Sequence, residues 1–323
     1  MLEANFPKTL VEFDLRFGSE EACELYLVRV RWPQGWRCPN CGHDRAWFTC
    51  RRHYHCARCK HQTSLTAGTV FHGTHKPLRL WFKAIFLVTT QKNGLSAKAL
   101  QRHLGLSYAT AWTWLHKLRA AMGRYGQVPL GHTVEVDETY FGSDKSRRPG
   151  RHKGNKALVL IAVEDRGKTM GRARLVSLPG VDGPSVVGAV QAHVAPASSV
   201  HTDGLAGYQG LTKEGYHHRV DYISRGRTRA ERAAIASAAF PHAHRLASLL
   251  GRWLLGTHQG AVREKHLQAY LNEFVFRFNR RRARHRTLLF QRLCQQGVKH
   301  KAQPYWRIVG REAPDQPLRV AVA

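Results

Sequence analysis

Thr133-Val134-Glu135-Val136-Asp137-Glu138-Thr139-Tyr140-Phe141 reads as a β-strand, rich in β-branched and aromatic residues and carrying an aspartate at its middle. Downstream, Ala157 to Val163 is a continuous apolar run that predicts a buried strand, and Ala173 to Leu178 predicts a third. Gly183 to His193 has helical spacing, and Ser199-Val200-His201-Thr202 predicts a fourth strand that ends at Asp203-Gly204. Three strands, a helix and another strand specify an α/β domain with a mixed sheet. Asp137 and Asp203 are both tied to β-runs. A strand end followed by glycine lets a carboxylate project from a sheet edge. Two such carboxylates on adjacent strands can hold divalent ions for phosphoryl transfer, whereas an aspartate taken singly is more often a cap or turn residue. Glu138 follows Asp137 directly and so points to the other face of the strand. Tyr140 is the residue type for a covalent link to DNA, but a lone tyrosine on a strand is far more often packing.

Upstream of this domain, Leu80 to Leu87 is helical, and Leu95 to Ser107 carries punctuation for two more helices. Ser96 caps one, Gly105 stops it, and Ser107 caps a second running from about Tyr108 to Met122. Ala111, Trp114, Leu115 and Leu118 share one face of the second. Helix, glycine turn, helix is the helix-turn-helix pattern, which also occurs as a plain packing element. Further toward the N-terminus stand Cys38-Pro-Asn-Cys41 and Cys56-Ala-Arg-Cys59, two Cys-x-x-Cys pairs with fourteen residues between them. That spacing predicts a zinc ribbon over about Trp32 to Thr66, with four thiolates around one tetrahedral ion. Two close pairs and no apolar leader argue against a disulfide framework. His53 or His55 can replace a cysteine in principle, but four cysteines already close the shell. Cys23, Cys50 and Cys294 read as plain thiols. The spacing of Leu10, Phe13, Phe17, Cys23, Leu25 and Leu27 predicts one helix over residues 8–30, packed against the ribbon.

The 323-residue chain has 51 Lys+Arg against 22 Asp+Glu, a formal charge of +29. Some of this charge is clustered. Lys145, Arg147, Arg148, Arg151 and Lys153 share one loop, and Arg277, Arg280, Arg281, Arg282, Arg284 and Arg286 crowd the end of an amphipathic helix. Such clusters suit phosphate backbones, so nucleic acid is the expected partner. The apolar stretches are too short to span a membrane, and the cytoplasm, with nucleoid association, is the expected compartment.

The order of zinc ribbon, helix-turn-helix, Val136-Asp-Glu-Thr-Tyr-Phe-Gly142, His201-Thr-Asp-Gly204 and Leu267-Gln-Ala-Tyr-Leu-Asn-Glu-Phe-Val-Phe-Arg-Phe-Asn-Arg-Arg281 resembles DDE transposases of bacterial insertion sequences that carry an N-terminal zinc ribbon. The resemblance spans about Phe13 to Arg286. It implies an RNase H-like α/β catalytic domain, structural Zn²⁺, catalytic Mg²⁺ or Mn²⁺, and cleavage and strand transfer of DNA. The DNA partners would be terminal inverted repeats and target DNA. Asp137 and Asp203 match the first two catalytic positions. Aligning Gly256-Thr257 with the Gly-Thr of the family puts His244 where an acid usually stands, and no Asp or Glu lies between Glu231 and Glu264 to restore one. Imidazole there can ligate a metal, Mn²⁺ better than Mg²⁺, or move a proton. Glu231 and Glu273 are the fallback acids, Glu273 more as a packing residue. Gly251 stands where the family often has a phosphate-holding Lys, and Arg252 beside it lies about 100° round the helix.

The expected organisation is a helical segment and ribbon over 1–76, the helix-turn-helix over 77–127, the catalytic domain over 128–286 and a tail over 287–323. Arg147, Arg148, Arg252, Arg280 and Arg281 are the expected DNA contacts, and a homo-oligomer on DNA is expected because two ends must be cut together. The competing readings are a transposase that binds ends without cutting and a regulator built on the same DNA-binding head.

Overall fold

The computed structural model describes residues 6–49, 52–123, 128–142, 156–223, 226 and 228–312. The basic loop with Arg147 and Arg148, and Cys50, lie outside these residues. The chain forms two compact units, one of residues 1–125 with 283–323 and one of residues 126–282.

In the first unit, α1 (Leu10–Arg16) and α2 (Glu20–Arg31) replace the single helix expected over 8–30. The break has a local cause. A Cβ at Gly18 would lie 2.6 Å from the Asp14 carbonyl oxygen, and Ser19 accepts from Ala22 N to start a new helix. The ribbon strands β1 (Ala46–Phe48), β2 (His53–Cys56) and β3 (Gln62–Ser64) form an antiparallel sheet in that order. Arg31 at the end of α2 donates to the Ser64, Leu65 and Ala67 carbonyls, which ties the ribbon to the helices.

Helix α3 (Leu78–Thr90) starts after Pro77, which has no side chain to cap it. Glu20 supplies the cap from a distance, accepting from Leu78 N at 2.6 Å and Arg79 N at 3.0 Å. Helices α4 (Ala97–Leu104) and α5 (Tyr108–Met122) are capped by Ser96 and Ser107 as their sequence predicts. Gly105 between them has φ +62°, a conformation that glycine adopts without penalty. Residues 287–312, expected as a tail, instead form α10 (Thr287–Lys299) and α11 (Tyr305–Val309). Phe290 of α10 sits among Phe6, Phe13, Phe17, Tyr26 and Phe82, with ring centroids 5.1–6.1 Å away.

The second unit is a five-stranded sheet in the order β6-β5-β4-β7-β8. β4 (Thr133–Phe141), β5 (Ala157–Arg166) and β6 (Thr169–Leu178) run antiparallel, and β7 (Ser199–Asp203) lies parallel to β4 after the crossover helix α6 (Gly183–His193). β8 (His217–Asp221) adds a parallel fifth strand at the edge, one more than the sequence suggests. Alternate residues of β5 feed two cores. Val159, Ile161 and Val163 pack under α8 (Pro241–His258) and α9 (Glu264–Phe278), while Leu158, Leu160 and Ala162 pack under α6. α7 (Arg229–Ala239) precedes α8.

The free edge of β6 is covered from α9 and the residues after it. Gln268 accepts from Ser177 N and donates to Leu175 O, and Asn279 takes both Ala173 backbone groups. Arg281 donates to the Gly171 and Met170 carbonyls. Every second residue of the edge is thereby paired, which blocks pairing with another chain. The run of residues 267–281 is thus, in the structure, a sheet-edge cover.

Glu164, 2% exposed, closes the base of this sheet by accepting from Gly131 N, Arg172 N and the Arg172 guanidinium. Burial pushes its carboxyl up, but these donors outweigh burial and hold it down at about 2. The resulting stabilisation is complete above the ordinary value of 4.5 and is lost as pH falls from there toward about 2. Glu164→Gln is expected to destabilise the protein by about 1–3 kcal/mol at neutral pH and to flatten the acid limb of its stability curve, read by denaturant unfolding.

Candidate functional site

Two constellations carry chemistry. In the ribbon, each Cys-x-x-Cys pair forms the same tight turn. Cys38 N donates to His43 O and Gly42 N to Cys38 O, and Cys56 N donates to His61 O and Lys60 N to Cys56 O. The turns bring the four sulfurs within 4.8 Å of one another, with Cys38–Cys59 and Cys41–Cys56 each at 3.6 Å. A tetrahedral zinc with Zn–S of ~2.3 Å needs sulfurs ~3.8 Å apart, so the donor set fits the ion. The His61 backbone N–H and the Asn40 amide hold the Cys59 thiol down at about 6, which favours the thiolate that binds metal. His53 and His55 are not in the cluster, and the His55 ring lies 4.8 Å from Trp47.

The second constellation lies on the α8 face of the large sheet. Asp137 pairs with Ile161, whose side chain belongs to the core under α8, while Val136 belongs to the opposite core. Asp137 therefore faces α8. Glu135 pairs with His201 of β7, and carrying that parallel register two residues further sets Asp137 beside Asp203. The Asp203 carboxylate is 7% exposed and accepts from Leu205 N at 3.0 Å, which holds the turn after β7. From the first turn of α8, His244 brings Nε2 to 3.4 Å from Asp137 Oδ2. The hydrogen bond to Asp137 raises the His244 pKa, burial opposes the rise, and the negative charges of Asp137 and Glu135 add to it.

Asp137, Asp203 and His244 converge on one face, though their donor atoms are not all within 4.8 Å of one another. Arg252 is exposed on α8. A Cβ added at Gly251 would meet Phe141 at 3.7 Å, an ordinary contact, so glycine is not demanded there. Arg280 donates to Phe276 O and lies 4.2 Å over the Phe276 ring, and Arg281 is taken up by the β6 edge. The fallback acids have other places. Glu231 completes a capping box with Thr228 at the start of α7, and Glu273 is fully buried in α9.

Four residues escape a reading of the sequence. Glu135 accepts from His242 N at 3.0 Å and Ala243 N at 2.8 Å, capping α8, which begins at Pro241 without a local cap. Tyr208, fully buried on the far face, donates to Glu138 at 3.0 Å. Burial, then the charges of Glu138, Asp137 and Asp203, keep its pKa well above 10.0. His201 lies 2.6 Å from Asp221, and Asp221 is the register partner of Asp203. A histidine or acid one strand over from the site has no sequence signal, since only pairing places it.

Residues 18–62 match the transposase zinc-ribbon domain, and residues 129–279 match the ISXO2-like transposase domain. An uncharacterized protein in transposable element ISH50 of Halobacterium salinarum is 24% identical over 283 residues, covering 81% of this chain and 91% of that protein. No solved structure matches. Both matched domains fall where the cysteine centre and the carboxylate face lie, and no described helix is long and apolar enough to cross a membrane. This chain belongs to the insertion-sequence transposases that carry an N-terminal zinc ribbon.

Proposed function

We propose that the chain binds the terminal inverted repeats of its element and catalyses metal-dependent DNA cleavage and strand transfer. The observation that carries the reading is the convergence of Asp137 and Asp203, from neighbouring parallel strands, on the first turn of α8 where His244 meets Asp137 at 3.4 Å. A mixed sheet of three antiparallel strands extended by parallel ones after a crossover helix is the order expected of an RNase H-like domain, and α4 and α5 are read as its helix-turn-helix. The N-terminus of α5 is exposed around Ser107, Tyr108 and Ala109, as an end that reads a groove must be.

Two carboxylates and an imidazole fit Mn²⁺, and the carboxylates alone fit Mg²⁺. When bound, such ions activate the attacking oxygen and stabilise the leaving oxygen of the phosphodiester. Asp137, in the middle of β4, and Asp203, at the end of β7, would hold them on strands that cannot shift without breaking the sheet. The hydrogen bond to Asp137 favours the protonated ring of His244, whose Nε2 would serve as a donor to a phosphate oxygen or, once it has lost its proton, as a ligand. Arg252 together with Arg147 and Arg148 would bind the DNA backbone, and two copies of the chain would hold the two ends.

Purified protein incubated with DNA bearing the element ends should nick it at the element boundary with Mn²⁺ or Mg²⁺ and leave it intact with EDTA. End-specific binding without nicking under either metal would make the chain a binder that does not cut. Binding with no preference for the ends would remove the transposase reading of the head.

A further inference from the structure

Resting on the reading of Asp137, Asp203 and His244 as the cleavage site, we propose that Glu135, Asp165 and His242 are positioning residues that lock the first turn of α8 in place and in rotation. None of them was called from the sequence, and their donor and acceptor atoms lie within 4.8 Å of one another.

The two locks act on different freedoms. Glu135, 2% exposed in the middle of the sheet, accepts both His242 N and Ala243 N on a single oxygen, Oε2. That fixes where the helix end sits but leaves it free to turn about its axis. His242 stops the turning. Its side chain, 12% exposed, brings Nε2 to 3.1 Å from Asp165 Oδ1 and 2.9 Å from Gly167 O. A ring nitrogen facing a carboxylate and a carbonyl carries the proton and donates to both.

Both acceptors belong to the tip of the β5–β6 hairpin, which is itself rigid. Asp165 Oδ1 also accepts Gly167 N at 2.7 Å, and Gly167 has φ +69°, which suits glycine. His242 and His244 are two residues apart, so their side chains leave the helix about 200° from each other. Anchoring one on the hairpin therefore aims the other at Asp137.

The geometry sets the sensitivity. An atom at a radius of ~6 Å from the helix axis moves ~2 Å for a rotation of ~20°. That is enough to lose the 3.4 Å contact between His244 and Asp137. Displacements of ~1 Å in a reacting site can lower rate by ~10²-fold.

The test uses full-length protein and compares Asp165→Ala and His242→Ala with Asp165→Asn and Glu135→Gln. The last two keep one acceptor oxygen, and a Gln oxygen can take both N–H groups because they converge on one atom in the native protein. Asp165→Ala and His242→Ala are expected to lower the nicking rate at saturating DNA by at least about tenfold, with end affinity unchanged within about twofold. Asp165→Asn and Glu135→Gln are expected to restore most of the rate. A second readout needs no metal and no cleavage. In ¹⁵N-histidine-labelled protein, the His244 ring signal, assigned by its loss in His244→Ala, should move in the two alanine variants and stay in place in the conservative pair.

Nicking at the native rate by Asp165→Ala and His242→Ala overturns the inference. So does failure of Asp165→Asn to restore a lost rate, because then the charge and not the hydrogen bond matters. If the unaltered protein nicks nothing, the cleavage reading fails by itself, and an unmoved His244 signal in the alanine variants still overturns the lock.

Discussion

Removing zinc with a strong chelator is expected to unfold the ribbon while leaving the helical core of the same unit folded. The ribbon has three strands of three or four residues, and its aromatic packing is small, with Trp32, Trp36 and Phe48 around Tyr54. So small a sheet is not stable by itself. Structural zinc binds with about 10–16 kcal/mol, as much as the whole stability of a typical domain, and that energy is folding energy here. The core of α1, α2, α3, α5 and α10 rests instead on ring contacts such as the tilted pair Phe13–Phe86 at 4.4 Å and the stacked pair Trp81–Trp114 at 3.9 Å, where no metal enters. One zinc released per chain, loss of the Trp32 and Trp36 fluorescence signature and a preserved helical circular dichroism signal are the expected results. Cys56→Ser should do the same without chelator. An unchanged fluorescence spectrum after complete metal removal would show that the ribbon stands on packing alone.

Replacing Asp137 or Asp203 by Asn is expected to lower the DNA nicking rate by at least ~10³-fold, equivalent to about 4 kcal/mol of barrier. Each substitution keeps the volume and shape of the side chain but removes the charge that would hold a cation. Although Asp137 is only 15% and Asp203 7% exposed, neither change opens a cavity, because Asn is isosteric with Asp. Thermal unfolding should therefore stay within a few degrees of the native protein, and end binding should persist. His244→Ala should have a smaller effect, about 10–100-fold, since one of three groups on the face is lost and both carboxylates remain. Rates from single-turnover nicking, with binding measured on the same DNA, separate these outcomes. Native-rate nicking by Asp137→Asn would move the active site elsewhere.

The parts of this molecule that its sequence reveals are those with local causes. Cysteine spacing, the serine caps of α4 and α5, and the apolar run of β5 are each settled within a short stretch of chain. The two aspartates are legible for the same reason, as strand positions. What the sequence hides is carried by distant partners. Glu135 reads as one polar residue in an alternating strand, and only the fold shows it capping a helix that begins after Pro241, more than a hundred residues away. β8 carries His217, His218, Arg219 and Asp221 because it is an exposed edge, so it has no hydrophobic signature. α10 is a different case. Leu289, Phe290, Leu293 and Cys294 have helical spacing and are buried, a signal present in the sequence but masked by the arginine-rich run before it, which reads as the end of a domain.

The aromatic nest around Phe290 also bears on synthesis at the ribosome. The first unit draws on both ends of the chain, whereas residues 126–282 lie between them. A nascent chain can thus complete its five-stranded sheet before Phe290 has been made, but its first unit waits for α10 to emerge. Premature termination after His244 but before residue 287 would yield a chain with Asp137, Asp203 and His244 all present and the pocket between Phe6, Phe17 and Phe82 unfilled. Fragments of that kind would carry a finished second unit beside a first unit that lacks part of its core.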